Sequence, residues 1–115
     1  MNAHTPDMPA HERPISEQFR IVAKEWVDLD AAANLLEETK SATLAQKMLA
    51  LGDMPVSRAE MQVKASTDWH EHIEAICEAR RLANLKKVQL EYLKMKFSEW
   101  QAINANARHE MRLGR

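Results

Sequence analysis

The sequence is poor in the residues that interrupt helices. It has two glycines and four prolines in 115 residues, and Pro6, Pro9, Pro14 and Pro55 all fall outside the long uninterrupted runs. Little in the chain opposes helix, and a content of 45% hydrophobic and 29% charged residues is ordinary for a soluble protein, so one all-α domain is expected. Cys77, the lone cysteine, excludes an internal disulfide and any multi-cysteine metal site, and reads as a small buried side chain on a helix. MNAHTPDMPAHERP (1–14) has no apolar core of signal-peptide type. No run approaches the roughly 18 apolar residues of a membrane span, so the expectation is a cytoplasmic chain with no membrane partner.

Motifs for chemistry are missing as well. No glycine-rich phosphate loop or nucleophile motif occurs, and the acid pairs Asp28/Asp30 and Glu37/Glu38 come without a base or nucleophile, so no enzyme activity and no cofactor is expected. WHEHIE (69–74) invites a metal reading, but His70 and His72 are two apart and point to different sides of a helix. His70 and Glu74 have the spacing of a ligand pair, yet a polar surface pair explains them better, so no metal ligand is assigned.

What is present is charge asymmetry and periodicity. Residues 1–77 hold 7 Lys or Arg against 13 Asp or Glu, a balance of -6, whereas residues 78–115 hold 9 against 4, a balance of +5. An acidic part is followed by a basic part, which can complement it or attract a polyanion. Residues 1–15 read as a flexible arm and residues 16–115 as a single helical domain. Ser16 is the expected cap of a first helix over about 16–51, in which Phe19, Val22, Trp26, Leu29, Ala33 and Leu36 follow the alternating three-and-four spacing of a coiled-coil seam. The apolar pattern shifts near Lys40, where continued helix with a local change of packing is expected. Gly52 is the natural stop. Ser57 and Glu60 have capping-box spacing, with Val56 and Met61 placed to staple the turn, so a short helix is expected over 57–65 and a last one over about 68–111.

At 1.5 Å per residue the first and last helices would be roughly 54 and 65 Å long, against a radius of gyration of about 13 to 14 Å for a compact chain of this size. The expected architecture is therefore an elongated antiparallel hairpin of two long helices joined by a short one. Two helices side by side leave apolar area in water, which an oligomeric bundle or coiled coil would cover.

On a seven-residue wheel, EARRLANLKKVQLEYLKMKFSEW (78–100) and its continuation resolve into columns. Ile76, Ala83, Leu90 and Phe97 form one. The next holds Arg80, Lys87, Lys94, Gln101, Arg108 and Arg115, flanked by a polar column that includes Cys77, Asn84, Glu91, Ser98 and Arg112. Opposite lie Leu82, Leu85, Val88, Tyr92, Leu93, Met95, Trp100 and Ile103, an arc too wide for one partner helix. Trp26, Leu29, Leu36, Leu82, Leu85, Tyr92, Leu93, Met95 and Trp100 are thus the expected packing and oligomer contacts.

The basic column supports two readings. It is a solvated face, helped by Lys87–Glu91 spacing or paired with first-helix acids such as Glu25, Asp28 or Glu38. Or Arg80, Lys87, Lys94, Arg108 and Arg112 track phosphates, without sequence specificity because no exposed aromatic is expected along the column.

EWVDLDAAANLLEETKSA (25–42), MPVSRAEMQVKAS (54–66), EARRLANLKKVQLEYLKMKFSEW (78–100) and ARHEMRL (107–113) together resemble a group of small all-helical proteins encoded by temperate bacteriophages and prophages. The resemblance implies an early phage gene near single-strand binding and recombination functions, and brings no catalytic residue with it. The expected function is that of a non-enzymatic, self-associating accessory or adaptor protein in DNA metabolism, touching nucleic acid or another protein. Two alternatives stand beside it: a helical inhibitor or remodeller of a host complex that uses the acidic first helix, and a structural virion or scaffold component.

Overall fold

The computed structural model describes Pro9 and residues 12–114. Among these there is no strand, and four helices follow in order: α1 (Ile15–Glu38), α2 (Lys40–Leu49), α3 (Val56–Lys64) and α4 (Thr67–Leu113). The all-helical class follows from the scarcity of Gly and Pro inside the runs. Most of the expected arm lies outside the described residues, and α1 already begins at Ile15, with Glu12 N donating to the Pro9 carbonyl at 3.0 Å just before it.

The helix ends correct several sequence expectations. Ser16 lies inside the first turn of α1, because the Pro14 carbonyl accepts the amides of Glu17 and Gln18 at 3.0 Å each, while the Gln18 side chain donates to the Arg13 carbonyl at 2.6 Å. The single helix expected over 16–51 is two helices. At Thr39 the backbone turns to φ -91°, ψ 0°, and its hydroxyl donates back to the Leu35 carbonyl at 2.7 Å. A threonine that bonds the carbonyl four residues earlier competes with the regular ladder and bends the helix. Gly52 ends this region as expected. Its φ of 89° is the left-handed conformation that costs glycine least, after Leu51 and Gly52 amides tighten the last turn by bonding Met48 and Leu49 carbonyls at 3.1 Å.

The capping box expected at Ser57 does not form, since Pro55 (φ -56°, ψ 139°) is the residue that opens α3 and no side chain caps it. Glu60 instead pairs with Lys64 at 2.8 Å, and Val56 and Met61 are both exposed, so no staple closes. Ser66 caps α4: its hydroxyl accepts the Trp69 amide at 3.2 Å, which starts the helix at Thr67 and leaves Asp68 in the first turn. The helix runs 47 residues, to Leu113.

The chain divides into two compact units, one of residues 26–85 and one of residues up to 25 together with those from 86 onward; α1 and α4 contribute a segment to each. In the 26–85 unit α2 packs on α3, and Ala33, Ala59, Val63, Trp69, Ile76 and Ala83 are buried, with Trp26, Leu29 and Leu36 half-buried. Trp69 lies against the His72 ring with centroids 5.4 Å apart. Burying one such aliphatic or aromatic side chain stabilises by about 1.5–3 kcal/mol.

In the other unit the first turns of α1 run antiparallel to α4. Glu25 meets Lys86 near one end, and Ile15 and Phe19 share a groove with Leu93 and Phe97 near the other. Here only Leu90 and Leu93 are buried among the described residues.

Candidate nucleic-acid interface

Four of the five buried residues of α4 among the described ones recur every seven positions, Trp69, Ile76, Ala83 and Leu90, and Leu93 follows three after the last. A helix whose buried face repeats at seven faces one neighbouring helix along a narrow stripe. Arg80, Lys87, Lys94, Gln101 and Arg108 are also seven apart, each displaced by four residues from that series, so the basic column runs along the edge of the buried stripe.

The edge behaves differently in the two units. In the 26–85 unit Arg80 is enclosed by α1. Its Nη1 donates to Asp30 Oδ1 at 2.6 Å, its Nε and Nη2 fork onto the two Glu37 oxygens at 2.6 and 3.3 Å, and Nη2 also reaches Asn34 Oδ1 at 2.6 Å. The carboxylate of Glu37, and then that of Asp30, hold the guanidinium pKa above its ordinary value. Such a fork-on-carboxylate arrangement fixes geometry as well as charge. Arg80 therefore belongs to the packing of its unit, and its donors already point at protein acceptors.

In the other unit it is Lys86, not its neighbour Lys87, that pairs with an acid of α1, through Glu25 Oε2 at 2.7 Å. Lys87 and Lys94 are exposed and have no ion-pair partner among the described residues, and the Lys87–Glu91 bridge allowed by their spacing is absent. Arg108 and Arg112 are likewise exposed and unpaired, and line a shallow groove with Ala105 and His109. Four of the five candidate cations thus share one unit and one state, and the fifth, Arg80, does not join them.

The aromatic expectation needs correcting. Trp100 is 54% exposed, stacks on Phe97 with ring centroids 5.9 Å apart and planes 19° from parallel, and lines an open groove with Gln101, Asn104, Arg108 and Met111. An exposed indole thus shares a groove with a cation of the column about two helical turns further on. The other packing candidates divide too. Leu93 is buried, while Leu82, Leu85, Tyr92 and Met95 are exposed, the last three at 52–63%, although Tyr92 lines a groove with Ile21 and Val22 of α1.

Cys77 is exposed, against the expectation of a buried thiol. It sits one position past Ile76, on the solvent side of the buried stripe. His70 Nε2 and Glu74 Oε1 form an exposed pair at 2.7 Å, and no group of three or more His, Cys, Asp or Glu side chains among the described residues is arranged to hold a metal. Glu78 and Arg81 form a two-bonded surface pair at 2.6 and 2.9 Å, and the Arg81 hydrogen bonds hold the Glu78 carboxyl below its usual range. No described helix is long and apolar enough to cross a membrane.

The Asp30–Asn34–Glu37 cradle of Arg80 escaped the sequence reading, although its signal is present. Each of the three residues follows a seam position, Leu29, Ala33 and Leu36, by one, so the spacing of the seam is repeated along its acidic edge. No family model matches this chain, and neither does any curated protein or solved structure.

Proposed function

We propose that this is a non-enzymatic helical accessory protein that self-associates through α4 and uses the basic column of that helix to hold nucleic acid, as a phage-encoded adaptor in DNA metabolism would. The observation that carries the reading is the state of Lys87, Lys94, Arg108 and Arg112: exposed, on one edge of one helix, and without a counter-ion among the described residues. Cations that have no protein partner are free to replace the counterions of a phosphate backbone, and each such contact adds salt-sensitive affinity. Trp100, in the same groove as Arg108, adds a ring on which an unpaired base can stack, so single strands bind at least as well as duplex. Contacts of this kind go to phosphates and carry no sequence information, so the binding is non-specific in sequence. Phage origin rests on the four resembling stretches, and self-association on the large apolar side chains that α4 exposes.

Labelled single- and double-stranded DNA titrated at low salt tests the nucleic-acid reading. Binding in the micromolar range that weakens with salt supports it; no binding to either form below about 100 μM overturns it, since non-specific affinities fall within that bound. A protein partner captured regardless of nuclease treatment, with no DNA binding, would favour the host-complex alternative.

A further inference from the structure

α4 carries a second apolar stripe in addition to the one α1 covers. Val88, Tyr92 and Met95 follow one another at spacings of four and three, and the sequence pattern reaches back three residues to Leu85. At about 100° per residue, Val88 and Met95 lie about 140 to 160° round the helix from Leu90 and Leu93, and Tyr92 about 100 to 160°, at the edge of the groove it lines with Ile21 and Val22 of α1. All three are exposed, at 62, 59 and 63%. Alternating three and four makes a stripe two columns wide, the width that one partner helix fills.

The charges beside the stripe say which helix. Glu91 and Lys96 flank it on opposite sides, and neither has an ion-pair partner among the described residues. When two identical helices pack parallel and in register along such a seam, a flanking residue of one meets the residue five positions later on the other. That rule sets Glu91 of one copy against Lys96 of the second, and by symmetry does so twice. An antiparallel pairing centred on the same stripe sets Glu91 against Asn84 and Lys96 against Gln89, which are amides, not counter-ions.

We infer that the stripe is occupied by a second copy of this chain, with α4 parallel to α4, Val88, Tyr92 and Met95 each facing its own counterpart, and two Glu91–Lys96 ion pairs along the edges. The inference rests on the self-association proposed above and specifies its surface, direction and register. α4 then lies between its own α1 on one side and the second α4 on the other. The paired Tyr92 rings bury their bodies and keep their hydroxyls at the rim, where such side chains are most favourable.

Cysteine cross-linking of the full chain with Cys77→Ser tests this, since the native thiol is exposed and would cross-link by itself. In that background Met95→Cys forms a disulfide-linked dimer on mild oxidation if the helices are parallel and in register. If Met95→Cys cross-links only when mixed with Leu85→Cys, the helices are antiparallel and the inference is overturned. Charge reversal gives a second reading: Glu91→Lys weakens the dimer about tenfold, and Glu91→Lys with Lys96→Glu restores it. Equal dimerisation of the single and double variants, or of Tyr92→Asp, would place the interface elsewhere. Light scattering of the unmodified chain separates the two levels, because a monomer at micromolar concentration removes the self-association reading itself, whereas a dimer insensitive to all these variants removes only the surface named here.

Discussion

The 26–85 unit and the unit built from the first turns of α1 and the rest of α4 solve the same problem with different means. The first buries Trp69, Ile76 and Val63 along with three alanines, and closes its charged edge by wrapping Arg80 in Asp30, Asn34 and Glu37. Among the described residues the second buries two leucines, pairs Lys86 with Glu25 of α1 and leaves an apolar stripe and a cationic edge exposed. Both units expose large apolar side chains, Leu35, Leu49, Val56 and Met61 among them in the first, so the contrast lies in the buried core and in the charged edge. In the second unit Lys87, Lys94, Arg108 and Arg112 are exposed and have no ion-pair partner among the described residues.

Substitutions can break that contrast or sharpen it. The largest effect on stability is expected from Trp69→Ala, which removes a side chain only 6% exposed and should destabilise by about 3–5 kcal/mol in thermal or denaturant unfolding. Met95→Ala, measured under dilute conditions where the chain is a monomer, should stay within about 0.5 kcal/mol of the parent. Comparable losses from the two would erase the distinction between a buried core and an open stripe.

Replacing Lys87, Lys94, Arg108 and Arg112 together by Gln should cut DNA affinity by about 100-fold and lower the slope of log affinity against log salt by about 3, with thermal stability nearly unchanged. A large loss of stability in that variant would mean that these cations are structural, as Arg80 is. Gly52→Ala should cost about 1–2 kcal/mol from backbone conformation alone, because nothing lies within 4 Å of the added methyl group.

The smallest effect is expected from acid. Arg81 depresses the Glu78 carboxyl, so the folded pKa is below the unfolded one, and the pair's contribution is complete above the unfolded carboxylate range and is lost as pH falls through the folded value. Glu78→Gln should flatten this part of the stability profile between neutral pH and acid. Equal acid sensitivity in parent and variant would assign the dependence to other carboxylates.

Much of this was readable from residue order because helix period is a local property. The seven-residue wheel groups Ile76, Ala83 and Leu90, which are buried, but it puts the exposed Phe97 in the same column and places the packing contacts on the opposite arc, of which only Leu93 is buried. Gly52 as a stop needed only its freedom at positive φ. Local rules with close competitors failed: Ser57 had the spacing of a cap, but Pro55 had already set the entry to α3, and Thr39 bent a helix whose propensities read as continuous. Which cation would be enclosed was not local at all. Arg80 and Lys87 are equivalent on the wheel of α4, and the difference between them comes from Asp30, Asn34 and Glu37, some fifty positions earlier in the chain.

The bend at Thr39 also bears on the order in which the chain can assemble. Thr39 keeps its amide bonded to Leu35 and its carbonyl bonded by Thr43, so the helix changes direction there without fraying. Beyond it, α2, the Gly52 turn and α3 lie within 25 consecutive residues and find their packing partners in each other. The entropy lost in closing a loop rises with its length, and contacts near in sequence form fastest. The α2–α3 pair is therefore the part with the least search to perform, while the meeting of Phe19 with Leu93 must wait for a loop that spans most of the chain to close.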